Sequence, residues 1–193
     1  MKNRRSLLLS AGALLIASGV PSFAQQDMTR DEYIGAVSAR YVDKSPEMTY
    51  SKRYALREAA TRISRVIPEA TLIERRNHAV ISIPEKTFFE FPEVSLRPDA
   101  VAVLTEVARI LHDRKSIGLE VMAHYHSDGR ASHAMVESGR RAVAIQAALL
   151  SRKVPERRVL ASGLGEAWPT DANTTIQGRE RNRRIDFVIR NEF

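Results

Sequence analysis

"GLGEAWPTDANTTIQGRERNRRIDFVI", residues 163–189, moves from one rhythm to another. Its end alternates. Ile185, Phe187 and Ile189 fall on one face of an extended chain, with Arg184 and Asp186 on the other, which predicts a strand over 184–190. The stretch before it reads as a long loop. Gly163-Leu-Gly165-Glu166 lacks the glycine spacing, strand and helix of a dinucleotide-binding loop. Asn182, just before the strand, is of a type that bonds local backbone and is expected to shape the turn there.

Working outward, the alternation of elements continues upstream. "RRVLAS" (157–162) reads as a short strand and "SHAMVESGRRAVAIQAALLSRK" (132–153) as a helix, with Val136, Val143, Ala147 and Leu150 expected to face inward. "GLEVMAHY" (118–125) is a strand. "LRPDAVAVLTEVARILHDR" (96–114) is a helix with Pro98 in its first turn and a stripe of Val101, Leu104, Ala108 and Leu111. "AVISI" (79–83) is a β-branched strand ending at Pro84. The order β-α-β-α-β-β predicts an α/β sandwich of the α+β kind, with a mixed sheet and helices on one face.

Before residue 77 the chain reads as helical. Thr29 and Glu32 fit a capping box, followed by Ile34, Val37 and Tyr41 on one face. Pro46 marks a break at 43–51. Leu56, Ala59, Ala60, Ile63 and Ile67 form a second amphipathic helix stopped before Pro68. Its polar face carries Arg53, Arg57, Arg62 and Arg65, either a solvated surface or a contact for a polyanionic cell wall. The first 24 residues resemble a secretory signal: Lys2, Arg4 and Arg5, then the apolar run Leu7–Val20, then Ser22-Phe23-Ala24. The Arg pair fits either a Sec or a twin-arginine route. The expected division is therefore 1–24 signal peptide, 25–76 helical extension, loosely attached, and 77–193 a domain able to fold alone.

The chain has 193 residues, 30 basic, 23 acidic and no Cys. Without Cys there is no disulfide and no lipidated cysteine. Removing 1–24 takes three basic residues and no acidic one, leaving 27 against 23, or +4. That mild basicity suits an anionic envelope polymer and is not the signature of a nucleic-acid binder. No transmembrane span is expected in the mature chain, because the leading apolar run is short and interrupted.

"AHYHSDG" (123–129) raises the one question of metal chemistry. His124, His126 and Asp128 alternate, and imidazole with carboxylate suits zinc. A catalytic zinc takes about three protein ligands, usually from several segments. The histidines here are His78, His112, His124, His126 and His133, and none lies further downstream. A site confined to His124, His126, Asp128 and His133 is the only metal arrangement left. With no nucleophile elbow and no Cys nucleophile, the expectation is no enzyme, no cofactor and no metal.

The closing stretch resembles the signature of the OmpA-like C-terminal, peptidoglycan-binding domain. The matching residues are Gly163, Gly165, Glu166, Pro169, Asn173, Thr175, Gly178, Arg179, Asn182, Arg183, Arg184, Ile185 and Asp186. "FFEFPEVSLRPDAVAVLTEVARIL" is similar to the start of that domain, and "GRRAVAIQAALLSRKVPERRV" to its second helix. The resemblance spans residues 79–193. It implies a periplasmic protein associated with cell wall or outer membrane, holding the diaminopimelate of the peptidoglycan stem peptide non-covalently.

In the family's register "AHYH" takes the Gly-His-Thr-Asp slot and Arg141 the position that grips the ligand carboxylate. An Arg fork suits that task; the other reading of Arg141 is a surface helix residue. His126 stands where the family has the Asp that meets the ligand ammonium, Ala134 where it has Asn and Glu137 where it has Leu. Asp128 either supplies the missing carboxylate or is a turn residue before Gly129. Arg184 either lines the pocket or is an exposed strand residue. The implied binding set is Arg141, His126, Asp128 and Arg184. The departures leave a second function open: a degenerate domain that binds another envelope protein instead of peptidoglycan.

Overall fold

The computed structural model describes residues 49–126 and 130–191. The signal at 1–24, the helix expected after Thr29, and Asp128 lie outside the described residues.

Thr49 caps the first described helix, α1 (Tyr50–Val66), its hydroxyl accepting from the Lys52 amide at 3.4 Å. The helix starts earlier than the apolar stripe alone suggested. Leu56, Ala59, Ala60 and Ile63 recur at helical spacing and are buried. Next come β1 (Thr71–Glu74), β2 (His78–Pro84), a 3-10 turn (Glu85–Thr87), α2 (Pro98–Asp113) and β3 (Ile117–His124). These are followed by α3 (Ala131–Ser151), β4 (Val159–Gly163), α4 (Ile176–Asn182) and β5 (Arg184–Asn191).

The sheet runs β1-β2-β5-β3-β4. β5 lies between β2 and β3, antiparallel to both. β4 is parallel to β3, with α3 as the crossover. Ile81, Ile83, Val121, Ile185, Phe187 and Ile189 turn to the helices and form the core with Leu56 and Ile63 of α1, Leu104 and Leu111 of α2, and Ile145 and Leu149 of α3. The mixed sheet with helices on one face is the architecture the alternation implied. No described helix is long and apolar enough to cross a membrane.

Three expectations change. First, the boundary at residue 77 falls inside a packed unit. Leu56, Ala59, Ala60, Ile63 and Ile67 belong to the central core, and β1 pairs with β2 from Thr71↔Ser82 to Glu74↔Ala79. Ion pairs also tie α1 to the end of α2: Arg62 to Asp113 at 2.8 Å and Arg114 to Glu58 at 2.5 Å. The expected basic face of α1 is thus partly neutralised, Arg57 also meeting Glu74 at 2.8 Å.

Second, α3 is rotated from the expected face. Val136 and Val143 are 52% and 54% exposed. The buried face is Ala134, Glu137, Ser138, Arg141, Ala142, Ile145 and Leu149. Three polar side chains go inward because partners wait for them: the Ser138 hydroxyl accepts from the Gly165 amide at 2.8 Å, and Arg141 meets Glu137 of the same helix and Glu85. On α2, Val101 is likewise exposed, while Leu104, Ala108 and Leu111 are buried as expected.

Third, the long loop before β5 is a built structure containing α4. Thr175 caps α4 by accepting from the Gly178 amide at 3.0 Å. Asn182 reaches back eleven and twelve residues, beyond its own turn. Its Oδ1 accepts from the Thr170 and Asp171 amides at 2.7 and 3.0 Å, and its Nδ2 donates to the Asp171 carbonyl at 2.7 Å. Two glycines are spacers: a methyl group at Gly163 would run into the Gly139 backbone, and one at Gly178 into the Ala172 carbonyl.

Candidate functional site

The ends of β2, β3 and β5 and the first turns of α3 converge on one ionic cluster. Arg141 is fully buried. Its Nε donates to Glu85, which follows β2 directly. Its Nη1 donates to the Glu137 carboxylate at 2.8 Å and the Glu137 carbonyl at 3.1 Å, and its Nη2 to the Pro92 carbonyl at 3.1 Å. The guanidinium lies over the Tyr125 ring at 4.5 Å, a cation–π contact in a desolvated setting. The surface reading of this arginine is therefore replaced by an interior one.

The two carboxylates around Arg141 respond in opposite directions. Burial pushes the Glu85 carboxyl up despite the Arg141 charge. Its hydrogen bond to Arg141 holds the Glu137 carboxyl below its usual range. One buried guanidinium cannot offset the desolvation of both acids equally, and the deeper one bears the deficit. Arg183 stands outside this pair. Its Nε is 3.8 Å from Glu85, its side chain is 26% exposed, and it stacks on Phe91 at 4.7 Å.

A cleft of about 820 Å³ opens on this end of the sheet, bordered by Glu85, Phe89, Phe91, Arg181, Arg183 and Arg184. Sequence reasoning missed Glu85, Tyr125 and Arg183 as parts of the site. Their signal was only their position at element ends beside an expected ligand group.

Arg184 belongs to a second cluster on the opposite sheet face. It is 3% exposed, so the exposed-strand reading does not hold. Its Nε donates to Asp186 at 3.2 Å and its Nη2 to the Trp168 carbonyl at 3.0 Å. The His124 ring sits between, with Nδ1 3.0 Å from the Ala167 carbonyl and Nε2 3.2 Å from Arg184 Nη2. A neutral ring protonated on Nδ1 donates to Ala167 and accepts from Arg184; its Nε2 is also 3.3 Å from Asp186 Oδ2, a carboxylate then left to the Arg184 guanidinium. His124 is thereby committed to the interior. Among the described residues no group of three His, Asp or Glu side chains forms a metal nest.

His126 lies further along, its Nδ1 3.4 Å from Glu166. It shares with Arg184 a cavity of about 10 Å³, room for roughly one water. The structure thus brings His126 and Arg184 to one small cavity and Arg141 to a different cluster, with Tyr125 between them.

Burial, then the Arg184 charge, lower the His124 pKa; burial, then Arg75, lower that of His78. Unfolded histidines titrate near pH 6.5, so below that the unfolded chain binds protons the folded state refuses, and stability falls with pH. Each such ring contributes up to ~1.4 kcal/mol per pH unit. Burial alone would raise the Asp186 carboxyl, but the Arg184 charge more than offsets this and holds it far below its usual range. It is ionised in both states above pH 5.5 and adds no slope there. Glu85, raised, acts in the opposite sense. Urea unfolding of His124→Gln should therefore lose less stability than the wild type between pH 7.5 and 5.5. Equal slopes would show that His124 is not held neutral.

Residues 88–183 match the family model of the OmpA family. Over 106 residues the chain is 33% identical to outer membrane protein A of Bordetella avium, covering 53% of each protein. Over 109 residues it is 28% identical to the peptidoglycan-associated lipoprotein of Rhizobium meliloti, covering 56% of this chain and 62% of that protein. The chain spans about half the length of the curated relatives it matches first, 52% and 53%. Among solved structures, a MotB-like protein from Desulfovibrio vulgaris superposes with a TM-score of 0.64 at 23% identity, covering 74% of this chain and 95% of that one. That likeness supports the fold. The glycine spacers, the Asn182 knot and the Arg184–Asp186 pair are built from residues of the closing signature, and by its sequence match over residues 88–183 the chain belongs to the OmpA family.

Proposed function

We propose that this chain is an exported cell-envelope protein whose OmpA-like domain associates with peptidoglycan without covalent attachment. The observation that carries this reading is the acid–arginine cluster at the sheet end, whose Glu85 borders the cleft beside Phe91 and Arg183. The similarity to a peptidoglycan-associated lipoprotein supports it.

The finer reading is that the ligand is the free end of diaminopimelate, which offers one ammonium and one carboxylate. In this reading Arg141 grips the carboxylate, Arg184 and His126 border the pocket, and Asp128 is the candidate partner for the ammonium. Binding requires Glu137 to yield Arg141 Nη1, because that donor is engaged.

The same occupancy favours the second reading, in which the domain binds another envelope protein and no peptidoglycan. Co-sedimentation of the mature protein with purified sacculi separates the two. The first reading expects binding by the wild type and tighter binding by Glu137→Leu, which frees the Arg141 fork. His126→Asp should also gain affinity by roughly 1.5–3 kcal/mol if no other carboxylate meets the ammonium. No sedimentation of wild type, Glu137→Leu or His126→Asp would leave the second reading standing.

A further inference from the structure

The end of the sheet away from the Arg141 cluster is basic and aromatic. β2 runs from His78 to Pro84, next to Glu85, so the turn between β1 and β2 lies about 24 Å from Glu85 at roughly 3.4 Å per strand residue. That turn carries Arg75 and Arg76, both exposed. The start of α1 lies at the same end. β5 starts at Arg184, paired with Pro84, and at its far end the Asn191 side chain donates to the Lys52 carbonyl at 3.3 Å. Tyr50, Arg53, Tyr54 and Arg57 recur at helical spacing on the outer face of α1. The Arg57 guanidinium meets Glu74, the last residue of β1, at 2.8 Å, which sets this stripe against the β1–β2 turn.

Two properties of this surface select its partner. The first is charge. Residues 49–57 hold Lys52, Arg53 and Arg57, and residues 75–77 hold Arg75 and Arg76, with no acidic residue in either stretch. Glu74, between them in space, is engaged with Arg57. Among the described residues no carboxylate pairs with Lys52, Arg53 or Arg76. The second is the pair Tyr50 and Tyr54, one helical turn apart and 79% and 60% exposed. Tyrosine rings set among arginine and lysine match the headgroup layer of a bilayer: the ring enters the interface, the hydroxyl stays wet and the cations meet phosphate. An arginine fork suits phosphate oxygens in particular. We propose that this end of the domain docks on the phosphate headgroups of an anionic lipid bilayer, through Arg53, Arg75 and Arg76, with Tyr50 and Tyr54 at headgroup depth. The domain then faces the membrane with one end of its sheet and carries the Arg141 cluster at the other.

The mature protein is titrated with vesicles of phosphatidylcholine alone and of phosphatidylcholine mixed with phosphatidylglycerol. It should bind the mixed vesicles and not the neutral ones, and release them as salt rises. Lys52→Gln, Arg53→Gln and Arg76→Gln together should weaken binding on the order of 100-fold, about fivefold for each charge at the membrane surface. Arg65→Gln, Lys86→Gln and Arg97→Gln remove the same charge from the last turn of α1, from beside Glu85 and from the start of α2, and should change binding by less than about threefold. Tyr50→Ser with Tyr54→Ser should weaken binding at unchanged charge. Equal losses in the two triple variants, or no preference for the anionic vesicles, overturn the proposal. So does loss of sacculus or single-stranded DNA binding in the first triple variant with vesicle binding kept, which assigns the surface to another polyanion. The vesicles hold no peptidoglycan, so this result stands apart from that of the sacculus experiment.

Discussion

Arg141→Ala is expected to lower unfolding stability by about 3–5 kcal/mol, because it leaves buried carboxylates without their guanidinium. The loss comes from the geometry around the side chain. Arg141 is fully buried and donates to Glu85, Glu137 and the Pro92 carbonyl at once. Its removal strands Glu85, already pushed up by burial, with only Arg183 at 3.8 Å. A carboxyl whose folded pKa is raised binds protons more readily folded than unfolded, so its penalty is full at high pH and fades as pH falls. The deficit of Arg141→Ala relative to wild type should therefore shrink between pH 7.5 and 5. Arg141→Lys should recover part of the loss, since an ammonium restores the charge but lacks the planar fork that serves three partners. Urea unfolding at both pH values measures this. A deficit below about 1 kcal/mol would place Arg141 among surface ion pairs and return it to a pure ligand role. Any effect of Arg141 variants on sacculus binding has to be read at full folding.

Removing everything before residue 77 is expected to abolish cooperative folding. The deletion takes Leu56, Ile63 and Ile67 from the core and the β1 partner from β2. Burying each such aliphatic side chain contributes about 1.5–3 kcal/mol, so three of them approach the whole stability of a domain, about 5–15 kcal/mol. The exposed flank of Ile81 and Ile83 and the opened β2 edge would also favour aggregation. A chain beginning at residue 77 should show no cooperative melt by circular dichroism. A sharp transition would show that α1 and β1 are dispensable and that the boundary at 77 is a real one.

How much was legible depended on the range of the interactions. Elements set by local patterning could be read from residues alone: β5 from the alternation of Ile185, Phe187 and Ile189, α2 from Pro98 and its stripe, and the break at Pro68. β1 was not legible, because four residues with an exposed-to-half-buried pattern carry too little periodicity. The inward face of α3 was misjudged because hydrophobicity favours Val136 and Val143. The energy is decided instead by Ser138 and Arg141, whose partners Gly165 and Glu85 lie 27 and 56 residues away.

The closing stretch determined the family by itself, since its glycines, Thr175 and Asn182 encode close approaches and caps that few sequences satisfy together. What it could not determine was the state of the site it points to. Whether an arginine is an open fork or a closed ion pair depends on which carboxylates the fold brings to it. Glu85 arrives from the end of β2 and Glu137 from one turn earlier on α3. Charge in a low-dielectric interior acts through distance in space, and only the tertiary structure sets that distance.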